Sequence, residues 1–421
     1  MRRVLMLSYY FPPLGGIGSV RALKFAQYLP EFGWDPVVIT PRKGAYHADA
    51  SLAFDETKVV RTASLELSRA AKRVIGRGGD DTRAAEVGPV LGRLRSFARR
   101  WIYRPDGQIG WYPFALRAAR RTLRERRCDV ILSSSFPITA HLVARRLHQE
   151  FGIPWVAEFR DLWTDLTRYD SRRRQRLDEA TERSVLTDAT EVVSVSDAYA
   201  SLLSERGGRR VAVITNGFDP ADFFGAPVSS RPLATYVGTY YPDRQDLRTA
   251  IDGLGELNRS GALPGLRIRF VGECPASLRA SLAEAGLADS VECTGFVTHG
   301  EALAHMQEST VLLLAGPVSG AFPQSTVRGN IASKAFEYLG SGRPILYVGD
   351  ADCEVEALVG RFPGVACVRP GDVVGAREAI LSLMQRGPTV ERRGMEAFTR
   401  QALAGGLARI LTDACREHSR G

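Results

Sequence analysis

Short apolar runs rich in β-branched residues alternate along the chain with longer stretches in which apolar residues recur every three to four positions. The first pattern is typical of buried strands and the second of amphipathic helices. Strands covered on both faces read as continuous apolar runs, so the alternation indicates parallel sheets between layers of helices. The rhythm occurs twice. It predicts an α/β fold with two Rossmann-like parallel-sheet domains that face a central cleft.

The predicted strands fall into two groups. The first group is Val4–Ser8, Pro36–Thr40, Val59–Thr62, Asp129–Ser133, Trp155–Phe159, Glu191–Val195 and Val211–Thr215. The second group is Leu233–Gly238, Arg267–Val271, Val291–Thr294, Thr310–Ala315, Pro344–Val348 and Val365–Val368. Between the groups, residues 216–232 are dense in turn formers and lack periodicity. We therefore expect domains at 1–220 and 233–395 with a hinge at 221–232. Residues 396–421 indicate a helix, whose return to the first domain is one interpretation.

The composition is that of a globular protein. The chain of 421 residues is long enough for two cores, and 44% of its residues are apolar. No apolar run reaches transmembrane length. The N-terminus begins like a signal peptide, but Pro12, Pro13, Gly15 and Gly16 stand where a cleavage site would be, so we predict a first strand and a cytoplasmic protein.

Cysteines and charge change this picture little. The six cysteines show no metal or redox spacing, so we expect reduced thiols. The net charge of +9 comes from 51 arginines and only five lysines, a ratio that suggests compositional bias. Nucleic acid is not a predicted partner. The basic clusters Arg93–Arg104 and Arg117–Arg127 could meet an anionic membrane, but we favour a solvated face. The glycine-rich stretch Arg73–Gly88 predicts a surface loop or a lid.

Two segments suggest anion binding. Gly15, Gly16 and Gly18 lie in a turn between the first strand and a helix, where free backbone N–H groups suit a phosphate. Their spacing is not the dinucleotide fingerprint, so a simple tight turn is as good an interpretation. The second segment, residues 328–346, predicts a helix capped by Ser333 or Asn330 that carries Lys334 and Glu337. Its apolar neighbours indicate a helix packed on most of its surface, where a diphosphate and a ribose would give both charges partners.

The sequence from Ser333 to Leu346 resembles the donor-site segment of the family-4-type retaining glycosyltransferases. Four further segments resemble that family in the same order. They are Phe11–Ser19, Ser194–Asp197, Asn216–Asp219 and the strand ends at Val271–Gly272 and Thr294–Val297. The resemblance covers nearly the whole chain, and it implies the two-domain GT-B architecture and transfer of a sugar from a nucleoside diphosphate sugar with retained anomeric configuration.

The resemblance also implies roles for individual residues. Arg244 and Lys334 would neutralise the departing diphosphate, and Glu337 would hold the donor ribose. The donor-binding set is Gly15, Gly16, Gly238, Thr239, Gly272, Phe296, Val297, Asn330, Ile331, Ala332, Ser333 and Glu337. No cofactor is expected besides the nucleotide sugar. No metal is expected either, and we interpret Asp350 and Asp352 as part of a capped turn.

Three positions depart from the family pattern. A second family glutamate would stand eight positions before Glu337, where this chain has Gly329. An arginine after the first strand of the second domain is replaced by Thr239. A common histidine of the first domain corresponds to Arg160.

The acceptor side is predicted at strand ends of the first domain. Polar groups there crowd the carboxyl edge of the sheet, where open α/β sheets bind ligands. We expect Ser135, Glu158, Arg160 and Asp161 to face the acceptor, with pairing among the last three as the alternative. We expect His141, on a helix, to be structural.

Two other functions stay open. A sugar-nucleotide epimerase of the same architecture would need acid and base groups, for which Glu158, Asp161 and His141 are the candidates. A catalytically lapsed nucleotide-sugar-binding subunit is suggested by Gly329 and Thr239, where charged groups are expected. The sequence leaves the nucleobase, sugar, acceptor and oligomeric state undefined.

Overall fold

The fold comprises two parallel sheets, as seen in a computed structural model. The structure describes residues 1–42, 48–49, 51–65, 104–167, 169, 171–318, 320 and 323–418. The stretch 73–88 and residues 93–103 of the first basic cluster lie outside these ranges. The predicted fold class is confirmed, because the two sheets have seven and six strands, all parallel, with helices between them.

The first lobe is built on a sheet of order β3-β2-β1-β4-β5-β6-β7. Its strands are β1 (Arg2–Ser8), β2 (Trp34–Pro41), β3 (Val59–Thr62), β4 (Val130–Ser135), β5 (Trp155–Phe159), β6 (Glu191–Ser194) and β7 (Ala212–Val213). Its helices are α1 (Ile17–Tyr28), α2 (Tyr112–Glu125), α3 (Thr139–Phe151), α4 (Arg172–Asp188) and α5 (Asp197–Gly207).

The second lobe is built on a sheet of order β10-β9-β8-β11-β12-β13. Its strands are β8 (Leu233–Val237), β9 (Arg267–Val271), β10 (Val291–Cys293), β11 (Val311–Ala315), β12 (Ile345–Val348) and β13 (Val365–Val368). Its helices are α6 (Arg248–Arg259), α7 (Ala276–Glu284), α8 (His299–Glu308), α9 (Gln324–Gly329), α10 (Ser333–Gly340), α11 (Glu354–Val359) and α12 (Val373–Gln385). The helix α13 (Arg400–His418) follows the second lobe in sequence.

Each sheet is buried on both faces, which explains the continuous apolar runs. In β1, Leu5 and Leu7 belong to the core on one side of the sheet, while Val4 and Met6 belong to the core on the other. Side chains alternate between the faces of a strand, so a run without polar interruptions fills both cores. Both faces of each sheet are thus closed to solvent, and ligands can reach the sheets only at the strand ends.

The C-terminal helix packs on the first lobe. Leu407 and Leu411 of α13 share a core cluster with Phe25 of α1 and Trp34 of β2. The chain therefore crosses between the lobes twice, near Phe218 and near Phe398. The two crossings are hydrogen-bonded to each other: Phe218 N–H donates to Phe398 O over 3.1 Å, and Arg400 N–H donates to Phe218 O over 2.8 Å.

Cys274 and Cys293 form a disulfide, so the expectation of six reduced thiols is wrong for this pair. The two cysteines are 19 residues apart in sequence, a spacing without a motif. They meet because β9 and β10 are neighbours and both cysteines lie at the carboxyl ends of those strands. The other four cysteines are in no disulfide among the described residues.

Among the described residues, no helix is long and apolar enough to cross a membrane.

Candidate active site

Two glycine turns meet at the carboxyl ends of β8 and β9. Gly238 and Gly272 have φ values of 105° and 140°, which side chains rarely adopt. A Cβ on Gly272 would lie 2.8 Å from the carbonyl oxygen of Gly238. Glycine is therefore required for the two turns to approach, and it leaves backbone exposed at the edge of the second sheet.

The ammonium group of Lys334 lies beside these turns. Its Nζ donates to the Val237 carbonyl over 3.1 Å and lies 3.9 Å from the centre of the Tyr236 ring. A Cβ on Gly238 would lie 3.8 Å from the same Nζ. The side chain keeps partial contact with solvent, but burial lowers the pKa of Lys334 to about 7. No carboxylate among the described residues forms an ion pair with it, so this cation is stabilised only by a carbonyl and a ring.

Lys334 is held by the packing of α10. Residues 335–339 of this helix are all buried, which confirms the predicted packing on most of its circumference. The Tyr338 hydroxyl accepts a 2.8 Å hydrogen bond from the Val237 N–H, next to the carbonyl that Lys334 uses. The helix begins at Ser333 with Ala332 as N-cap and no side-chain cap bond, so the predicted capping by Ser333 or Asn330 is wrong. Asn330, Ile331 and Ala332 form the turn that leads into α10.

Glu337 pairs with His299 rather than with Lys334. Its Oε1 lies 3.0 Å from His299 Nε2, and both side chains are largely buried. Burial favours the neutral ring, but the hydrogen bond and the charge of Glu337 outweigh it and raise the pKa of His299. Protonation of His299 would make this contact an ion pair at the predicted ribose site.

The other predicted donor residues of the second lobe line the same edge. Thr239 is exposed, and its carbonyl accepts from the Tyr236 hydroxyl over 3.0 Å. Arg244 lies in the loop after β8, with its guanidinium 3.7 Å from the Asp243 carboxylate and 5.6 Å from the centre of the Tyr241 ring. Phe296 is exposed, and Val297 is half-buried in the turn that leads into α8.

The glycine turn of the first lobe is built as a helix start. Gly16 is the N-cap of α1 with φ 90°, and Gly15 precedes it. Apart from its neighbours along the chain, no described residue lies within 4 Å of a Cβ built on Gly16. The arrangement is compatible with an anion and equally with a plain tight turn.

Glu158 is an internal ion-pair partner, so the expectation that it faces the acceptor is wrong. It is 2% exposed, and its Oε1 lies 2.8 Å from Arg21 NH2. The hydroxyl of Ser134 donates to its other oxygen over 2.5 Å. Burial alone would raise the pKa of Glu158, but the charges of Arg21 and Arg160 and the Ser134 bond lower it. The sequence hid this pair because Arg21 lies 137 positions away on α1.

Ser135 is also internal. It is fully buried, and its hydroxyl donates to the Glu158 carbonyl over 3.3 Å, so it offers no surface to an acceptor. The prediction that Ser135 contacts the acceptor is therefore wrong for this arrangement.

The Arg160 side chain is hydrogen-bonded to backbone carbonyls of the first lobe. Its guanidinium donates to the carbonyls of Ser135 at 2.6 Å, Gly18 at 2.6 Å and Phe136 at 3.1 Å. It thereby ties the first turn of α1 to the end of β4.

Asp161 is the acidic side chain at this edge that solvent reaches. Its surroundings desolvate the carboxylate and raise its pKa, although the charge of Arg160 opposes the shift. The described residues provide no hydrogen bond or ion pair to it. A solvent-accessible carboxylate at a sheet edge, to which no described residue donates a hydrogen bond, suits a cationic or hydroxyl-bearing ligand.

His141 is structural, as expected. It is fully buried on α3, and its Nδ1 lies 2.7 Å from the Ser133 hydroxyl. Burial lowers its pKa to about 3. It is therefore neutral and remote from solvent.

The described residues contain no group of three or more His, Cys, Asp or Glu that could hold a metal ion. Asp350 and Asp352 precede α11, whose N-cap is Cys353 and carries no side-chain cap bond. The turn is present, and its N-cap residue is a cysteine rather than an aspartate.

Contacts between the lobes were missed by the sequence analysis. The Glu354 carboxylate accepts from the Ala198 N–H at 2.5 Å and the Asp197 N–H at 3.2 Å, at the start of α5. On the other side, Asp49 accepts a 2.9 Å bond from the His299 N–H. Loops that follow strands of one sheet thus dock on loops that follow strands of the other.

Lys24 ties α1 to the segment between the lobes. Its ammonium lies 2.7 Å from Asp219 and 2.5 Å from Asp222. Lysine is rare in this chain, and this rarity marks Lys24 as a candidate functional residue just as it marks Lys334. The position of His299 at a helix start could also have been predicted, because Thr298 and Glu301 form a capping box, which marks the start of a helix.

Gly329 explains one departure from the family pattern. A Cβ at this position would lie 2.4 Å from Cδ1 of Tyr199 and 2.9 Å from the Ser196 hydroxyl, both in the first lobe. The Tyr199 hydroxyl also donates to the Thr326 carbonyl over 3.2 Å. Tyr199 therefore occupies the space into which a longer side chain at residue 329 would project.

Two parallel-sheet lobes whose strand-end loops face each other across a hinge have the GT-B fold. Sucrose-phosphate synthase from Thermosynechococcus elongatus has this fold, with a TM-score of 0.59 and 16% identity over 98% of this chain and 100% of that chain. UDP-GlcNAc 2-epimerase from Methanocaldococcus jannaschii is also similar, with a TM-score of 0.53 and 11% identity over 98% of this chain and 100% of that chain. At these identities the likeness concerns the fold alone.

The sequence comparison is more specific. Residues 15–217 match the glycosyl transferase 4-like domain family, so the chain carries a domain of that family. A 2-deoxystreptamine glucosyltransferase of Streptomyces kanamyceticus is 24% identical over 382 residues, which cover 84% of this chain and 86% of the relative. The chain belongs to the glycosyltransferase class.

Proposed function

We propose that this protein transfers a sugar from a nucleoside diphosphate sugar to an acceptor hydroxyl with retention of anomeric configuration. The observation that carries the proposal is the Lys334 ammonium beside the glycine turns of Gly238 and Gly272. A cation with which no described carboxylate pairs, next to exposed backbone at a strand edge, suits a diphosphate. Retention is inferred from the resemblance to the family-4-type enzymes.

The mechanism is electrostatic. Negative charge grows on the departing diphosphate as the glycosidic bond breaks, and fixed cations stabilise that state more than the ground state. A bound diphosphate would favour the protonated form of Lys334, whose pKa burial lowers to about 7. Arg244, in the loop after β8, is the second cation that we assign to this task. With two cations in place, we propose that the reaction needs no divalent metal.

The acceptor is assigned to the edge of the first lobe at Asp161. Its carboxylate would accept a hydrogen bond from a hydroxyl or pair with an ammonium group. The similar glucosyltransferase from Streptomyces kanamyceticus has 2-deoxystreptamine in its name, and this amine-bearing cyclitol is the acceptor that we propose to test first.

An epimerase is less well supported. Of its three candidate acid and base groups, Glu158 is in a buried ion pair and His141 is buried and neutral. Asp161 is left as the one group of the three that solvent reaches, whereas the proposed epimerisation needs acid and base groups around the sugar.

Calorimetry with UDP, GDP, ADP and dTDP tests the donor site, because a ligand that binds the native state must show measurable affinity. We expect one of them to bind, and Lys334→Met to abolish that binding. Incubation of the cognate sugar nucleotide with 2-deoxystreptamine and with EDTA present should yield a glycoside with the anomeric configuration of the donor, read by NMR coupling constants. Absence of affinity for all four nucleotides would overturn the donor assignment. Conversion of the donor alone would favour the epimerase, and nucleotide binding without turnover would favour a lapsed subunit.

A further inference from the structure

His299 stands between the two lobes. It is the first residue of α8, directly after the Phe296–Val297 turn and the Thr298 N-cap. Its side chain is 15% exposed, so the ring lies within the protein rather than at its surface. A titratable side chain at a helix start, buried at a lobe boundary, needs specific partners.

The residue contacts both lobes at once. Its backbone N–H donates to Asp49 Oδ2 of the first lobe over 2.9 Å, and its ring nitrogen Nε2 lies 3.0 Å from Glu337 Oε1 of the second. Asp49 is itself fixed: it is 1% exposed, its N–H donates to Pro13 O, and its carboxylate accepts from Ser51. A short path therefore joins the loop beside Gly15 and Gly16 to the carboxylate of Glu337.

Charged groups on several elements act on the pair, and Asp49 interacts electrostatically with His299. Lys24 of α1 and Asp222 of the 220–222 turn act on the ring, the first disfavouring and the second favouring its charge. Arg400 of α13 interacts electrostatically with Glu337, and Glu301 and His305 lie on α8 itself. Glu337 contributes the most to keeping the ring protonated, against the effect of burial. A protonated ring donates from Nε2 and fixes one of the two oxygens of Glu337.

We propose that His299 is a positioning residue that orients Glu337 for the donor and couples this orientation to docking of the first lobe through Asp49. This rests on the proposed function, in which Glu337 holds the donor ribose. His299 engages one oxygen of Glu337, and no described residue hydrogen-bonds to the other, which we assign to a ribose hydroxyl. Because the Asp49 bond is made to the backbone of the same residue, separation of the lobes removes a restraint on the start of α8 and on the imidazole.

Kinetics of single variants test the role. His299→Leu removes the Nε2 donor, and we expect it to raise the donor KM by about tenfold while the acceptor KM stays unchanged. His299→Gln keeps an N–H donor near the position of Nε2 and should recover most of this loss. His305→Leu is the matched control, since it removes a histidine of the same helix that contacts Arg269 and Glu308, and it should leave the donor KM unchanged.

The pH profile separates positioning from packing. The pKa of His299 is raised above its ordinary 6.5, so its charge is present below that raised value and is lost as pH rises through it. Donor affinity of the wild type should therefore fall relative to His299→Gln across this window. Titration of Lys334 occurs in both proteins, so its effect cancels in the ratio of their donor affinities.

Docking through Asp49 has its own test. Asp49→Ala should raise the donor KM in the wild type and add little in the His299→Leu background, because the two act through one path. A full additive effect in the double variant would overturn the coupling.

Failure of this proposal is distinguishable from failure of the proposed function. If the wild type binds none of the four nucleoside diphosphates, the donor assignment fails. If the wild type binds but His299→Leu has the same donor KM and pH profile, the positioning role alone is overturned. It is also overturned if His299→Leu raises donor and acceptor KM together with a loss of stability that His299→Gln does not recover.

Discussion

Tyr199 of the first lobe packs against Gly329 of the second so closely that a Cβ on Gly329 would lie 2.4 Å from the tyrosine ring. Gly329→Ala should therefore disfavour the docked arrangement, although alanine is the better helix former. Overpacking of this kind costs about 1 to 3 kcal/mol. We expect a larger radius of gyration in small-angle scattering and a lower midpoint of urea unfolding.

Removal of the ring provides the control. Tyr199→Ala combined with Gly329→Ala should return the radius of gyration to the value of Tyr199→Ala alone. Unchanged scattering and unfolding in Gly329→Ala would show that the lobes do not pack in this way in solution.

Substitution of Lys334 should separate catalysis from stability. Lys334→Ala should lower sugar transfer far more than it lowers thermal stability. An equal loss of both would make Lys334 structural.

Lys334 should also give stability a particular pH dependence. Its folded pKa is about 7, below the ordinary value of 10.5, so the unfolded state binds the proton more tightly. The wild type should therefore gain stability relative to Lys334→Met as pH rises from 7 towards 10.5. Parallel unfolding free energies for the two proteins across this range would contradict the lowered pKa.

Loss of the Arg21–Glu158 pair should affect stability. Glu158→Gln leaves the buried guanidinium without its charge partner, which typically costs about 3 to 5 kcal/mol. The pKa of Glu158 is lowered in the fold, so its contribution is present above the ordinary value of 4.5 and is lost as pH falls through the folded value. Urea unfolding at several pH values measures both effects.

The double variant Arg21→Met/Glu158→Leu is the control, since it removes both charges and should recover part of the stability. A Glu158→Gln protein of native stability with a raised acceptor KM would restore the acceptor role that the structure contradicts.

Asp161→Asn should weaken the acceptor alone. Loss of one charge contact in the cleft corresponds to a rise in acceptor KM of about tenfold, with the donor KM unchanged. Asp165→Asn is a matched control, because that carboxylate pairs with Arg206 at 2.6 Å. Equal acceptor KM values for wild type and Asp161→Asn would remove Asp161 from the site.

The Cys274–Cys293 disulfide should be detectable and stabilising. Denatured protein without reductant should show four reactive thiols rather than six. Closure of a loop of this length contributes about 3 kcal/mol, so dithiothreitol should lower the urea midpoint. The variant Cys274→Ser/Cys293→Ser should not respond to the reductant, whereas Cys367→Ser, at an exposed free cysteine, should respond like the wild type. Six reactive thiols in the denatured, unreduced protein would show that the bond does not form.

The fold can be predicted from the sequence because the pattern that indicates each strand is local. The apolar runs that become β1, β4 and β8 are visible without knowledge of their neighbours, and both parallel sheets follow from them. Lys334 was found by rarity and by the apolar helix around it. The partners of Glu158 and Glu337 were not found, because Arg21 and His299 lie far away in sequence and meet them only after folding. The same distance hid Cys274 and Cys293, which neighbouring strands bring together.

The two crossings between the lobes, near Phe218 and Phe398, run side by side and are hydrogen-bonded to each other. A single covalent tether would permit twisting and sliding in any direction. Two hydrogen-bonded connections restrict twisting and sliding, and they leave mainly a hinge rotation about the axis that they define. The lobes of this enzyme should therefore open and shut along one reproducible arc, which returns Asp49 to His299 and Glu354 to the start of α5 at each cycle.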